Sequence, residues 1–206
     1  MKQTTILILL SSIIVCGVVV FSLFGGPVHA QPTVRMPTFS TPIATPLPKP
    51  EATPWVSPDG SKTLIMRTTT DTNRQKTYSF FVREAPSSGE HLVFSKTEAT
   101  GNAIAIPFNS WSPNNQYFFL QEKGSTGEHI LVFKASGEVF PDGGVFIDVN
   151  TAFVEKKVPY AFSEVTGWAA PTLLVVNTKS PTSSAPISFW FDISKKSFIR
   201  LSTSFQ

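Results

Sequence analysis

The chain has 206 residues, with 17 Lys+Arg against 14 Asp+Glu, 17 prolines, 18 phenylalanines and one cysteine. That length suffices for one core of moderate size, and a net charge of only +3 excludes the basic field that grips a phosphate backbone, so nucleic acid is not an expected partner. From Trp55 onward there are 14 Lys+Arg and 13 Asp+Glu, and the lone Cys16 lies near the N-terminus, which excludes an internal disulfide, a thiolate metal site and a Cys nucleophile from the rest of the chain.

Residues 1–30 read as a targeting segment and predict an N-terminal hydrophobic helix. Lys2 supplies the positive start, and residues 5–24 run for 20 positions without a charge before Gly25-Gly26-Pro27 breaks the run. Val28-His29-Ala30 places an aliphatic residue at −3 and a small one at −1, so cleavage between Ala30 and Gln31 is expected. The alternative is an uncleaved anchor, because twenty apolar residues at about 1.5 Å each match a bilayer core of roughly 30 Å. Either way the rest of the chain is expected outside the cytoplasm, with the membrane as a partner of residues 5–24 if the segment is retained.

Residues 31–54 hold seven prolines and five threonines and read as a linker. Proline fixes φ and removes a donor, so helix and sheet do not propagate. Extended at about 3.1 Å per residue, such a stretch reaches on the order of 75 Å.

Residues 55–206 read as an all-β domain. Period-two alternation and β-branched or aromatic runs predict strands at 63–69, 77–83, 91–96, 103–108, 116–122, 129–134, 144–149, 159–164, 173–178, 187–192 and 197–201. Turn clusters separate them, among them Pro58-Asp59-Gly60, Pro113-Asn114-Asn115 and Pro141-Asp142-Gly143. One short helical turn is expected within 148–157, capped by Asp148 or Asn150.

One pattern recurs. Trp55-Val56-Ser57-Pro58-Asp59-Gly60, Trp111-Ser112-Pro113-Asn114-Asn115 and Trp168-Ala169-Ala170-Pro171 each precede a strand, and the tryptophans stand 56 and 57 residues apart. Four predicted strands follow each of the first two, so the domain is expected to be a set of antiparallel four-stranded meander repeats. The first copy resembles the W-S-P-D-G blade motif of TolB-like β-propeller repeats. The second matches with Asn114-Asn115 in place of Asp-Gly, and the third keeps only Trp168 and Pro171. The resemblance implies a structural role for the turn, a tryptophan packed between blades, and a binding scaffold without chemistry of its own. Propellers close with about 4–8 blades. About three blades imply an incomplete, propeller-like array whose open strand edges are offered to a protein partner or to a second copy.

Catalytic signals are thin. Gly89-Glu90-His91 and Gly127-Glu128-His129 form a second near-repeat, 38 residues apart. Two Glu-His units could ligate a metal or exchange protons. Both also sit where a hairpin turn enters a strand, and a solvated strand edge is the expected role. Asp71-Thr72-Asn73 opens like a calcium loop but lacks Gly at its sixth position, where Lys76 stands. No G-x-S-x-G, H-E-x-x-H, P-loop or G-x-G-x-x-G occurs. No cofactor and no enzymatic activity are expected. The favoured function is a non-catalytic, extracytoplasmic interaction scaffold. The alternatives are a carbohydrate-binding module, if Phe81, Phe118 and Trp190 are exposed, and a cryptic hydrolase using His91 or His129. Residues 1–54 fused to a reporter active only outside the cytoplasm are expected to give signal, with the fusion's N-terminus at Gln31; activity confined to the cytoplasm contradicts export.

Overall fold

Lys62–Thr70, Lys76–Glu84 and Glu90–Glu98, rich in β-branched and aromatic residues, pair as consecutive antiparallel strands, which sets the style of the whole domain. The computed structural model describes residues 51–206 apart from 88, 126, 181–185, 203, 204 and 206. The hydrophobic N-terminal segment, the Ala30–Gln31 cleavage site and most of the proline-rich linker lie outside the described residues. Three four-stranded sheets follow one another along the chain. Sheet one is β1 (Glu51–Val56), β2 (Lys62–Thr70), β3 (Lys76–Glu84) and β4 (Glu90–Glu98). Sheet two is β5 (Ala103–Ala105), β6 (Tyr117–Gly124), β7 (Gly127–Lys134) and β8 (Ile147–Asp148); helix α1 (Val149–Glu155) follows. Sheet three is β9 (Ala161–Ala170), β10 (Leu173–Lys179), β11 (Pro186–Asp192) and β12 (Ser197–Arg200). Each is a meander in chain order, and no barrel closes.

The fold is therefore all-β with one short helix, as the alternation implies. Four elements differ from the sequence reading: the strand expected at 159–164 is β9, which runs on to Ala170 and takes in Trp168, and β1, β5 and β8 also depart from it. β1 starts at Glu51, inside the stretch whose prolines suggest a linker; Pro54 is accommodated because β1 is an edge strand. β5 stops at Ala105, since Pro107 and the following turn end the ladder. The run at 144–149 contributes only β8, because Asp148 caps α1 by accepting from the Thr151 amide.

The sheets differ in how many faces they bury. On β3, Tyr78, Phe80 and Val82 are buried while Ser79, Phe81 and Arg83 are half-buried on the other face. On β6 and β7, by contrast, Phe118-Phe119-Leu120 and Ile130-Leu131-Val132-Phe133 are buried without interruption. Both faces of sheet two are covered, so alternation gives way to a continuous apolar run. Phe118, Leu120, Leu131 and Phe133 join Leu64, Phe80 and Val82 in one core, between sheets one and two. Phe119, Ile130 and Val132 join Leu174, Val176, Phe189 and Phe191 in a second, which α1 enters through Val149 and Ala152.

The two ends are sealed differently. Sheet one's outer face carries a hydroxyl ladder, Thr77–Thr97 at 2.7 Å and Ser79–Ser95 at 2.9 Å. Arg67 lies over the Phe81 ring at 4.5 Å and pairs with Glu90 at 2.6 Å. Polar outer faces are what the terminal units of a stacked array need. On sheet three the chain's own end returns: the Phe205 amide donates to Ser188 Oγ, which donates to Asn177 Oδ1.

Between sheets one and two, Lys96 on β4 reaches Glu122 on β6 at 2.6 Å and Glu98 at 2.8 Å. Burial opposes the charge on Glu98, but hydrogen bonds from Lys96 and Asn102 outweigh it and hold the carboxyl below its usual 4.5. A lowered carboxyl contributes stability that is complete above its usual value and lost as pH falls through the lowered one. Glu98→Gln is therefore expected to be less stable than the parent at neutral pH, with the gap closing below about pH 4. Denaturant titrations across that range measure it, and a gap independent of pH contradicts this account.

Candidate functional site

The repeated turns are built alike. Ser57 Oγ donates to Asp59 Oδ1 at 2.9 Å and accepts from the Lys62 amide, while the Ser57 amide donates to the Lys62 carbonyl. In the second copy Ser112 Oγ donates to Asn114 Oδ1 at 2.9 Å and accepts from the Tyr117 amide, while the Ser112 amide donates to the Tyr117 carbonyl. Asn114 thus does the work of Asp59. Gly60 at φ +74° and Asn115 at φ +54° supply the same left-handed residue, which Gly and Asn adopt most readily. Pro58 and Pro113 occupy equivalent places. The third copy loses this device: Ala170 pairs directly with Leu173, leaving Pro171 and Thr172 as a two-residue turn.

With the serines as reference, the first tryptophan is displaced. Trp111 directly precedes Ser112 and bridges to Phe118, in the core shared with sheet one. Trp168 pairs with its β10 partner Leu174 and packs in the core shared with sheet two. Each faces the sheet before it. In the first copy Val56 directly precedes Ser57 and is 59% exposed; among the described residues no sheet precedes sheet one. Trp55 stands one residue earlier, pairs with Leu64 and packs toward sheet two. A one-residue shift along a strand reverses the face, and the extra valine does this. Trp111 is 6% exposed and meets the expectation of a core residue; Trp55 and Trp168 are half-buried.

All three indoles donate to carbonyls far along the chain, two of them in the segment between β5 and β6. Trp55 Nε1 donates to the Phe108 carbonyl at 3.3 Å, Trp111 Nε1 to the Trp55 carbonyl at 3.2 Å, and Trp168 Nε1 to the Ser110 carbonyl at 2.9 Å. Asn109 Nδ2 adds a bond to the Thr166 carbonyl at 3.2 Å. Around this lattice lies an open groove of about 980 Å³, bordered by β1, the segment after β5, and β9. Its walls include the three tryptophans, Pro54, Pro58 and Pro113; no charged side chain lines it. Phe108 stands on it with 85% of its surface exposed. The repeat motif therefore brings Trp55, Pro58, Trp111, Pro113 and Trp168 to one groove, but leaves Ser57, Asp59, Gly60 and Ser112 in the turns and Pro171 in its own hairpin.

Sequence reasoning missed Phe108 and Asn109. Phe108 continues the alternation of Ile104 and Ile106, which points to burial, and the one contrary signal is Pro107, which ends the strand before it.

The Glu-His pairs are occupied elsewhere. His91 Nε2 meets the Ala135 carbonyl at 2.9 Å across to sheet two, and Glu90 holds Arg67. His129 Nδ1 meets Asp148 Oδ2 at 2.9 Å, the same carboxylate that caps α1. Among the described residues no group of three His, Cys, Asp or Glu is placed to hold a metal ion. Phe118 is fully buried, Phe81 lies under Arg67, and Trp190 is half-buried, each on a different sheet. Among the described residues no helix is long and apolar enough to cross a membrane.

No family model, curated protein or solved structure matches the chain.

Large-to-small aromatic changes in a core cost about 3–5 kcal/mol. Trp111→Ala is expected to cost that much, and the half-exposed Trp55→Ala about 1–3 kcal/mol. Thermal and denaturant unfolding measure both; an unchanged Trp111→Ala melting temperature contradicts the role given to this indole.

Proposed function

We propose that this protein is a non-catalytic scaffold of the extracytoplasmic space that binds a protein partner, delivered there by residues 1–30, either secreted or membrane-anchored, with residues 31–50 as the linker ahead of β1. One observation carries the reading: the uncharged aromatic groove built by the repeated tryptophans. Exposed apolar surface gathered into a concave, polar-rimmed site marks recognition. The engagement of both mature-chain histidines in structural contacts supports a binding role over a reactive one.

TolB-like ancestry of the repeat is part of this proposal. Its support is the shared Ser–Asp and Ser–Asn turn and the succession of three four-stranded meanders. Docking in the groove is favoured over strand addition. Of the edges bordering the groove, β1 carries Pro54, β5 is three residues long and β9 is broken by three register shifts, all features that discourage pairing. β4, nine residues long, is the edge where strand addition or self-association fits best.

A photo-crosslinking residue placed at Phe108 in the full chain in its native cells is expected to yield a protein adduct. The same residue at Val154, 75% exposed on α1 and outside the groove lining, is expected to yield none. Equal adducts at both sites, or none at either, contradict docking through the groove.

A further inference from the structure

We infer that the chain's own C-terminal end regulates the groove: Phe205 is a removable gate at its sheet-three end, and a partner that docks there displaces it and reaches the indole N–H of Trp190. The inference rests on the groove being the docking site and adds its regulation.

The gate follows from where Phe205 stands. It lines the groove together with Gly167 and Val175 of sheet three, and its amide donates to Ser188 Oγ at 2.9 Å. Leu174, Val176, Phe189 and Phe191 turn inward to the second core, so the alternate residues Val175, Asn177, Ser188 and Trp190 turn outward. Phe205 is therefore bonded to the outer face of the sheet. On sheet one the outward hydroxyls of Ser95 and Thr97 are exposed, whereas on sheet three Val175, Asn177 and Ser188 are buried. The face that is wet at one end of the array is covered at the other.

The hold on Phe205 is light. Its side chain is 45% exposed and belongs to neither core. The ladder bond that ends the sheet runs from the Leu201 amide to the Ser188 carbonyl, so Phe205 leaves without opening a strand pair. Ser188 Oγ keeps its bond to Asn177 Oδ1, and Asn177 Nδ2 its bond to Glu164, so neither side chain is left without a partner. Chain ends tied by so few contacts are the first parts of a fold to open.

What lies past the gate says what the partner brings. Val175 pairs with Trp190 on β11, and Trp190 with Ile199 on β12. Trp190 Nε1 is buried and has no acceptor, which costs that donor its hydration. An extended peptide laid along this face carries a carbonyl at every residue, and one of them accepts from Trp190 Nε1. The chain's own end makes no such bond, and this gives the partner its advantage over a tail held at high effective concentration.

The test places the photo-crosslinking residue at Phe108 in the full chain in native cells, with and without Phe205→Ala. The purified full chain in detergent micelles is followed in parallel by acrylamide quenching of tryptophan emission and by thermal unfolding. A gate closed about nine-tenths of the time weakens apparent affinity roughly tenfold, so Phe205→Ala is expected to raise the yield of the protein adduct by up to that factor. Quenching is expected to increase at the parent's melting temperature, and Phe205→Tyr is expected to restore the parent's behaviour. Trp190→Phe, added to Phe205→Ala, keeps a ring and removes the N–H, and is expected to take back the gain. Unchanged quenching overturns the cover itself. Increased quenching with an unchanged or lower adduct yield overturns displacement and leaves docking standing. A melting temperature lowered by Phe205→Ala makes the contact a structural closure and overturns the gate. A gain kept in the double variant overturns Trp190 as the partner's anchor. No adduct in the parent or in Phe205→Ala overturns docking and displacement together, and the quenching measurement separates that outcome from a failed cover.

Discussion

Everything in this domain depends on sheet two being covered on both faces. Phe118 and Phe119 are adjacent in sequence and fully buried in opposite directions, one into each core. A small sheet gains independent stability only by covering a hydrophobic face. Here the middle sheet lends one face to each neighbour, and each neighbour needs only one. The outer faces are then free to be polar, as in the hydroxyl ladder of sheet one, or closed by the chain's own end, as at Ser188 of sheet three.

The tryptophans turn that stacking into a fixed geometry. Dispersion and burial hold sheets together without fixing their angle, whereas an indole N–H aimed at one carbonyl of another sheet does fix it. Committing those donors internally has a chemical consequence for the groove. It is left lined by indole faces and proline rings, with Asn109 and Thr166 and no charged side chain.

Much of this was legible in the sequence because it is local. Alternation in β3 and β11, the turn chemistry of Ser57-Pro58-Asp59-Gly60 and the Trp period depend on neighbours a few residues away, and these readings carried the all-β class and the meander repeats. Asp148 as a helix cap was readable for the same reason. What was not legible depends on partners far along the chain. Proline content hides β1, because only its position at a sheet edge makes Pro54 tolerable. The extra Val56 looks like noise in a repeat until the packing of Trp55 toward sheet two gives it a reason. His91 and His129 suggest chemistry by type, and only their cross-sheet partners, Ala135 and Asp148, assign them to structure. Phe108 is a hydrophobic residue left outside the core, which composition does not distinguish from one within it.

The unequal coverage of the sheets also orders events in time. Sheet one is made of consecutive strands joined by short turns, so its hairpins close from local contacts as soon as Glu98 is available. Its inner face, with Tyr78, Phe80 and Val82, finds its lid only when β6 and β7 follow, through Phe133. A chain that emerges from its N-terminal end therefore passes through a stage with one finished, half-greasy sheet. The hydroxyl ladder and the Arg67 clamp keep its other side wet, so the exposed stage is sticky on one side only and has one direction in which to grow.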